Sequence, residues 1–129
     1  KRCFSDVDDC IYCLDKLITD KNIVSQTINI GPDEEFISIN QLFKIISNKL
    51  QFNQEPKYFA TRPNEVKEAT CSAEKARKML NYKTTVSLDK SIDKVINYIN
   101  QNGTKKFKYN YTLEIDNENT PITWKQRLF

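Results

Sequence analysis

Histidine is absent from this chain of 129 residues, and glycine occurs only twice. The first absence removes the side chain most often used as a general base near neutral pH. The second excludes a glycine-rich loop wrapped around phosphate groups, since such loops need several positions without a Cβ. No serine lies in a nucleophile-elbow context. No apolar run approaches the length of a membrane span, and the first residues carry no secretory pattern. No basic block is long enough to mark a nucleic-acid face. The 20 basic and 17 acidic residues interleave, as in Asp89-Lys90 and Asp93-Lys94, and read as a solvated mixed surface with net charge +3. The chain opens without methionine and inside a motif, so Lys1 is not expected to be the natural start.

Cysteine is present but does not complete a metal site. Cys10 and Cys13 form a C-x-x-C, and Cys3 and Cys71 stand apart. With no second C-x-x-C and no histidine, zinc is disfavoured, and apolar thiols in a helical pattern are expected. A reducing cytoplasm fits that usage.

What remains is one domain's worth of chain with a modest core. Val7, Cys10, Ile11, Leu14, Leu17 and Ile18 recur at helical spacing, with Asp8 and Asp9 in the first turn, where the helix dipole favours carboxylates. Ser38-Ile39-Asn40-Gln41 is a capping box, opening a helix that carries Leu42, Phe43, Ile46 and Leu50 on one side. Ser72 is expected to cap a third helix, with Ala73, Ala76, Met79 and Leu80 inward and Asn81 near its end. Ser87 opens a fourth, bearing Leu88, Ile92, Val95, Ile96 and Ile99 and closed by Asn102-Gly103. Strands are expected at Gln26–Ile30, at Lys57–Ala60 and along the alternating run from Phe107 to Ile115. The polar remainder ends in a tail able to dock through Trp124, Leu128 and Phe129.

Only four arginines occur among these elements. Arg2 stands in Arg2-Cys3-Phe4-Ser5-Asp6-Val7-Asp8-Asp9, and Arg62 in Arg62-Pro63-Asn64-Glu65-Val66-Lys67. Both lie where the chain passes from loop or extended structure towards helix. Two guanidinium forks on loops suit an anionic ligand such as a diphosphate.

Six segments, taken in order, resemble the extended short-chain dehydrogenases that act on nucleotide sugars, the epimerases and dehydratases. Arg2 to Asp9 resembles R-x-F-x-x-V-x-D, and Ile28-Asn29-Ile30-Gly31 contains N-I-G. Ser38 to Leu42 resembles S-I-x-E-L, and Arg62 to Lys67 resembles R-P-G-E-V-K. Ser72 to Tyr82 resembles D-x-S-K-A-x-x-x-L-G-Y, and Val86 to Ile92 resembles V-S-L-E-E-G-L. The chain departs from these patterns at Asn64, which replaces a glycine, and at Asp6, which replaces an aromatic or histidine.

The resemblance implies an α/β fold, the C-terminal portion of a Rossmann-type enzyme with about four helices and two or three short strands. Residues 1–104 would be the substrate-binding part and 105–129 a C-terminal strand and tail. It implies a UDP- or dTDP-sugar as ligand, with Arg2 and Arg62 on the diphosphate and Glu65 on the ribose. NAD and the catalytic residues would belong to a Rossmann half outside this chain, so no turnover is expected from the chain alone. Tyr12 and Lys16 spell the family's Y-x-x-x-K, but directly after the R-x-F segment rather than before it, and are read as coincidence. The strand at Gln26–Ile30 would join the sheet of the other half, so a companion chain or a homodimer is expected. The competing expectation is a non-catalytic module whose lysine-rich surface meets an acidic partner.

Overall fold

A computed structural model of the chain describes residues 1–106, 108, 112–113 and 116–128. Five α-helices follow one another: α1 (Val7–Thr19), α2 (Ile39–Leu50), α3 (Glu74–Leu80), α4 (Leu88–Asn102) and α5 (Ile122–Lys125). A 3-10 turn, Lys21–Ile23, follows α1. No helix is long and apolar enough to cross a membrane among the described residues.

The expected α/β architecture is not what forms. Among the described residues there is no strand and no sheet, and the regular structure is helical. The segments Gln26–Ile30 and Lys57–Ala60 are irregular. A strand is defined by the neighbour that completes its ladder, and neither segment has one among the described residues. The alternating run from Phe107 to Ile115 falls largely outside the described residues. The nearest approach to sheet pairing is at Arg2, whose backbone bridges Ile37 antiparallel and Ala69 parallel.

The helices start and stop on local signals. Asp6 caps α1, accepting from the Asp8 N–H at 3.0 Å. At α2 the Ser38 hydroxyl accepts from the Gln41 N–H at 3.1 Å, and the Gln41 amide oxygen accepts from the Ser38 N–H at 2.7 Å. Ser87 caps α4, and Gly103, at φ 74°, ends it. Asn81 ends α3 in the left-handed region at φ 54°. Ser72 does less than a full cap. Its hydroxyl accepts from the Glu74 N–H at 3.2 Å, while the Ala73 N–H is taken at 2.7 Å by Asp33.

The core is small. Cys13, Ile23, Ala73, Ala76, Leu80 and Tyr82 form one buried cluster between α1 and α3, and Ile28, Ile30 and Met79 pack against it. Cys13 is fully buried, and burial pushes its thiol pKa up. Gly31, beside this cluster, holds φ 153°, which residues with a Cβ rarely adopt, and a Cβ there would also crowd the Ser5 hydroxyl at 3.0 Å.

The inward face of α1 is set by Asp9 and Cys13, not by its apolar stripe. Val7, Ile11, Leu14 and Ile18 all point to solvent, with Ile18 85% exposed. Asp9 is buried because it has work on the inside. It accepts from the Thr85 hydroxyl, from the Thr85 N–H at 3.1 Å and from the Val86 N–H at 3.3 Å. Asp6, also buried, accepts from the Ser91 hydroxyl at 2.7 Å and from Lys94 at 2.9 Å. These bonds fix the start of α1 against α4 and the residues before it.

The Ser91 hydrogen bond, followed by those from Lys94 and the Asp8 N–H, holds the Asp6 carboxyl down to about 2. A depressed carboxylate stabilises the fold fully above its unfolded pKa, roughly 4, and the contribution is lost as pH falls through the folded value. Unfolding midpoints should therefore drop between about pH 4 and 2, and Asp6→Asn should flatten that limb. An acid limb identical in Asp6→Asn and the parent, followed by circular dichroism, would count against this tether.

Candidate functional site

The segment from Thr61 to Ala69 carries two of the expected site residues. Pro63 fixes its own φ and keeps Arg62 out of helical geometry. Asn64 then turns the chain at φ 57°, a conformation that asparagine tolerates better than most residues. The turn closes with Glu65 N–H donating to Arg62 C=O at 3.5 Å. Arg62 and Glu65 thus end on one side, with Arg62 Nη1 3.7 Å from Glu65 Oε1. Both side chains stay about half exposed. An exposed pair at that distance is weak, so the guanidinium remains available to a better acceptor.

Arg62 and Glu65 line a groove of about 790 Å³. One wall comes from the start of α2, through Ile39, Asn40 and Phe43, and from Lys57 to Phe59. Glu118, Thr120 to Thr123 and Lys125, with most of α5, supply another. Lys57 stands 5.0 Å from the Phe59 ring centroid, keeping a cation at the aromatic edge of the groove. The volume lies within the range of small-molecule sites.

Arg2 is not among the residues lining this groove. Its backbone exchanges hydrogen bonds with Ile37 at 2.9 and 3.1 Å. Its guanidinium donates to the carbonyls of Val66 at 2.7 Å, Lys67 at 3.3 Å and Lys1 at 2.7 Å. Val66 and Lys67 follow Glu65 directly. Arg2 therefore fastens the segment that presents Arg62 and Glu65.

A second cavity, of about 720 Å³, has Arg77 and Glu34 in its wall. The Arg77 fork meets Asp33 and, at 2.7 Å, Glu34. The Arg77 hydrogen bonds are the main reason that both carboxyls lie below their usual range. Asp33 also holds the Ala73 N–H, and Glu34 accepts from the Thr84 hydroxyl at 3.2 Å. Charges so matched join the loop after Gly31 to α3 and leave no free fork for an anion. One sign of it is visible in the residues alone: Arg77 is among four arginines, and Asp33-Glu34-Glu35 is an acidic run.

Tyr12 and Lys16 lie on α1, with the Lys16 ammonium 5.9 Å from the Tyr12 ring centroid. Among the described residues, no cluster of histidine, cysteine, aspartate or glutamate has the arrangement of a metal site.

No protein-family model matches the chain. No solved structure matches it either. Curated proteins do. The chain is similar to the bifunctional polymyxin resistance protein ArnA of Wigglesworthia glossinidia brevipalpis, at 30% identity over 121 residues. That match takes in 81% of this chain and 18% of the relative. It is also similar to a UDP-glucuronate 4-epimerase of Thermodesulfobacterium geofontis, at 26% identity over 77 residues, which are 60% of this chain and 24% of the relative. The chain thus spans less than a quarter of the length of either relative. These local matches relate it distantly to nucleotide-sugar enzymes of the epimerase type.

Proposed function

We propose that this chain is the ligand-holding portion of an NAD-dependent nucleotide-sugar epimerase or dehydratase. The observation that carries the reading is the groove bearing Arg62 and Glu65, in a chain similar to part of a UDP-glucuronate 4-epimerase. Arg62 grips the diphosphate, exchanging a weak exposed carboxylate contact for charge-assisted bonds to phosphate oxygens. Glu65 accepts from a ribose hydroxyl. Arg2 sets the backbone on which both stand. Residues 1–104 carry Arg62 and Glu65 and form the main binding part, and Glu118 to Lys125 close the groove from the C-terminal side.

The described residues do not suit NAD. Of the two glycines, Gly31 is closed off by Ser5, and Gly103 ends α4. Neither opens a backbone cradle for a pyrophosphate at a helix start. The chain's part is to bind and orient, and NAD belongs to a companion half. The outward stripe of α1, from Val7 to Ile18, is the surface that half would cover. Chain lacking that cover should self-associate in sedimentation at high concentration. A stable monomer across the whole range would count against an NAD-binding companion on this face.

Calorimetric titration with UDP tests the groove. Binding by the chain alone should be weak, and Arg62→Ala should lower it roughly tenfold or more, as expected for loss of a charge-assisted bond. Because the Arg62–Glu65 pair is exposed, the variant should unfold within about 0.5 kcal/mol of the parent. Equal UDP affinity in parent and variant would contradict the reading. So would binding that ignores the nucleotide, accepts any polyanion and collapses with salt, as a lysine-rich module for an acidic partner predicts.

A further inference from the structure

We propose that the C-terminal segment Glu118–Lys125 is the nucleoside-side wall of the groove, and that the Thr123 hydroxyl is its hydrogen-bonding group for the bound nucleotide. The proposal rests on the nucleotide reading above and adds to it the residues that would face base and ribose rather than phosphate.

The first observation is placement. Pro121, Ile122 and Thr123 line the same groove as Arg62 and Glu65, although they lie far along the chain. The second is order. The Asn117 N–H donates to the Thr120 hydroxyl at 3.0 Å, and the Thr120 N–H donates to the Asn117 carbonyl at 3.1 Å. The Asn119 N–H donates to the Asn117 side chain at 2.9 Å. Lys125 pairs with Asp116 at 2.9 Å, so the ends of the segment are drawn together. A closed turn followed by a helical turn makes a shaped wall.

The third observation concerns one atom. Among the described residues, Thr123 Oγ1 is the buried side-chain polar atom without a hydrogen-bond partner. Buried hydroxyls nearly always have partners, so an orphan at a cavity wall marks a place for one to arrive. Thr123 as a whole is only half-buried. A turn of χ1 between staggered wells is enough to redirect its hydroxyl.

The chemistry of the wall selects the nucleoside. It offers an apolar pair, Pro121 and Ile122, and, on a turn of Thr123 χ1, one unpartnered hydroxyl, while its cation Lys125 is matched by Asp116. Across the rest of the groove, Tyr58 and Phe59 present exposed aromatic surface suited to stacking a base. Phosphate remains the task of Arg62.

Trp124, the chain's sole tryptophan, lies next to Thr123 in α5 and is 47% exposed. It therefore reports on this wall. The test uses the full chain with UDP and with inorganic pyrophosphate as separate ligands, read by calorimetry and by Trp124 emission. Thr123→Val should lower UDP affinity about tenfold, as for one lost hydrogen bond, and leave pyrophosphate affinity unchanged. UDP should shift Trp124 emission, and pyrophosphate should not. If Thr123→Val does not fold, Ile122→Ala, at a position 43% exposed, should show the same selective loss. UDP binding that needs Arg62 but leaves Trp124 silent and is unaffected at Thr123 or Ile122 would overturn this proposal and leave the nucleotide reading intact. No binding of either ligand by the parent would overturn both.

Discussion

Carboxylates at the beginning of α1 hold this fold together. Asp6 and Asp9 are buried, and between them they accept from two hydroxyls, a lysine and three backbone N–H groups. They bind α1 to α4 and to the residues that lead into it. Asp33 does the same for α3, through Arg77 and the Ala73 N–H. In a sheet protein, backbone ladders would supply such long-range connections. Here, among the described residues, side-chain carboxylates supply them. The apolar core is too small to do so alone, since its fully buried side chains are few.

That frame explains the unequal fates of the arginines. Arg77 is neutralised by Asp33 and Glu34 and serves packing. Arg2 is engaged by carbonyls and sets the path of the segment after Glu65. Arg62 faces a groove with a loose exposed partner, Glu65. Its availability follows from the turn at Asn64 and from the absence, among the described residues, of a second carboxylate close enough to hold it. The same division separates a groove with an exposed guanidinium from a cavity whose guanidinium is held by two carboxylates.

Local chemistry was legible in the sequence, and distant pairing was not. The capping box at Ser38, the cap at Ser87, the left-handed stop at Asn81 and the close of α4 at Gly103 all stand where they were expected. Each depends on atoms within a few residues. The strands failed because a strand's identity depends on a neighbour, which Gln26–Ile30 and Lys57–Ala60 do not have here. The stripe of α1 was visible, but not that Asp9 would take the inner face and turn Val7, Ile11, Leu14 and Ile18 outward. Asp6, which departs from the family pattern, became a cap and a tether to α4. Of the groove's lining, Arg62 and Glu65 could be named from the resemblance of their turn to R-P-G-E. Nothing in the residues around Arg2 foretold the carbonyls of Val66 and Lys67, and Thr123 stood in a tail without a pattern.

The most direct test of the carboxylate frame is urea unfolding of Asp9→Ala beside Asp15→Ala, a neighbour on the exposed side of α1. Removing Asp9 strands the Thr85 and Val86 N–H groups and should cost about 2–4 kcal/mol. Asp15→Ala should stay within about 0.5 kcal/mol of the parent. Equal, small losses at both positions would contradict the account.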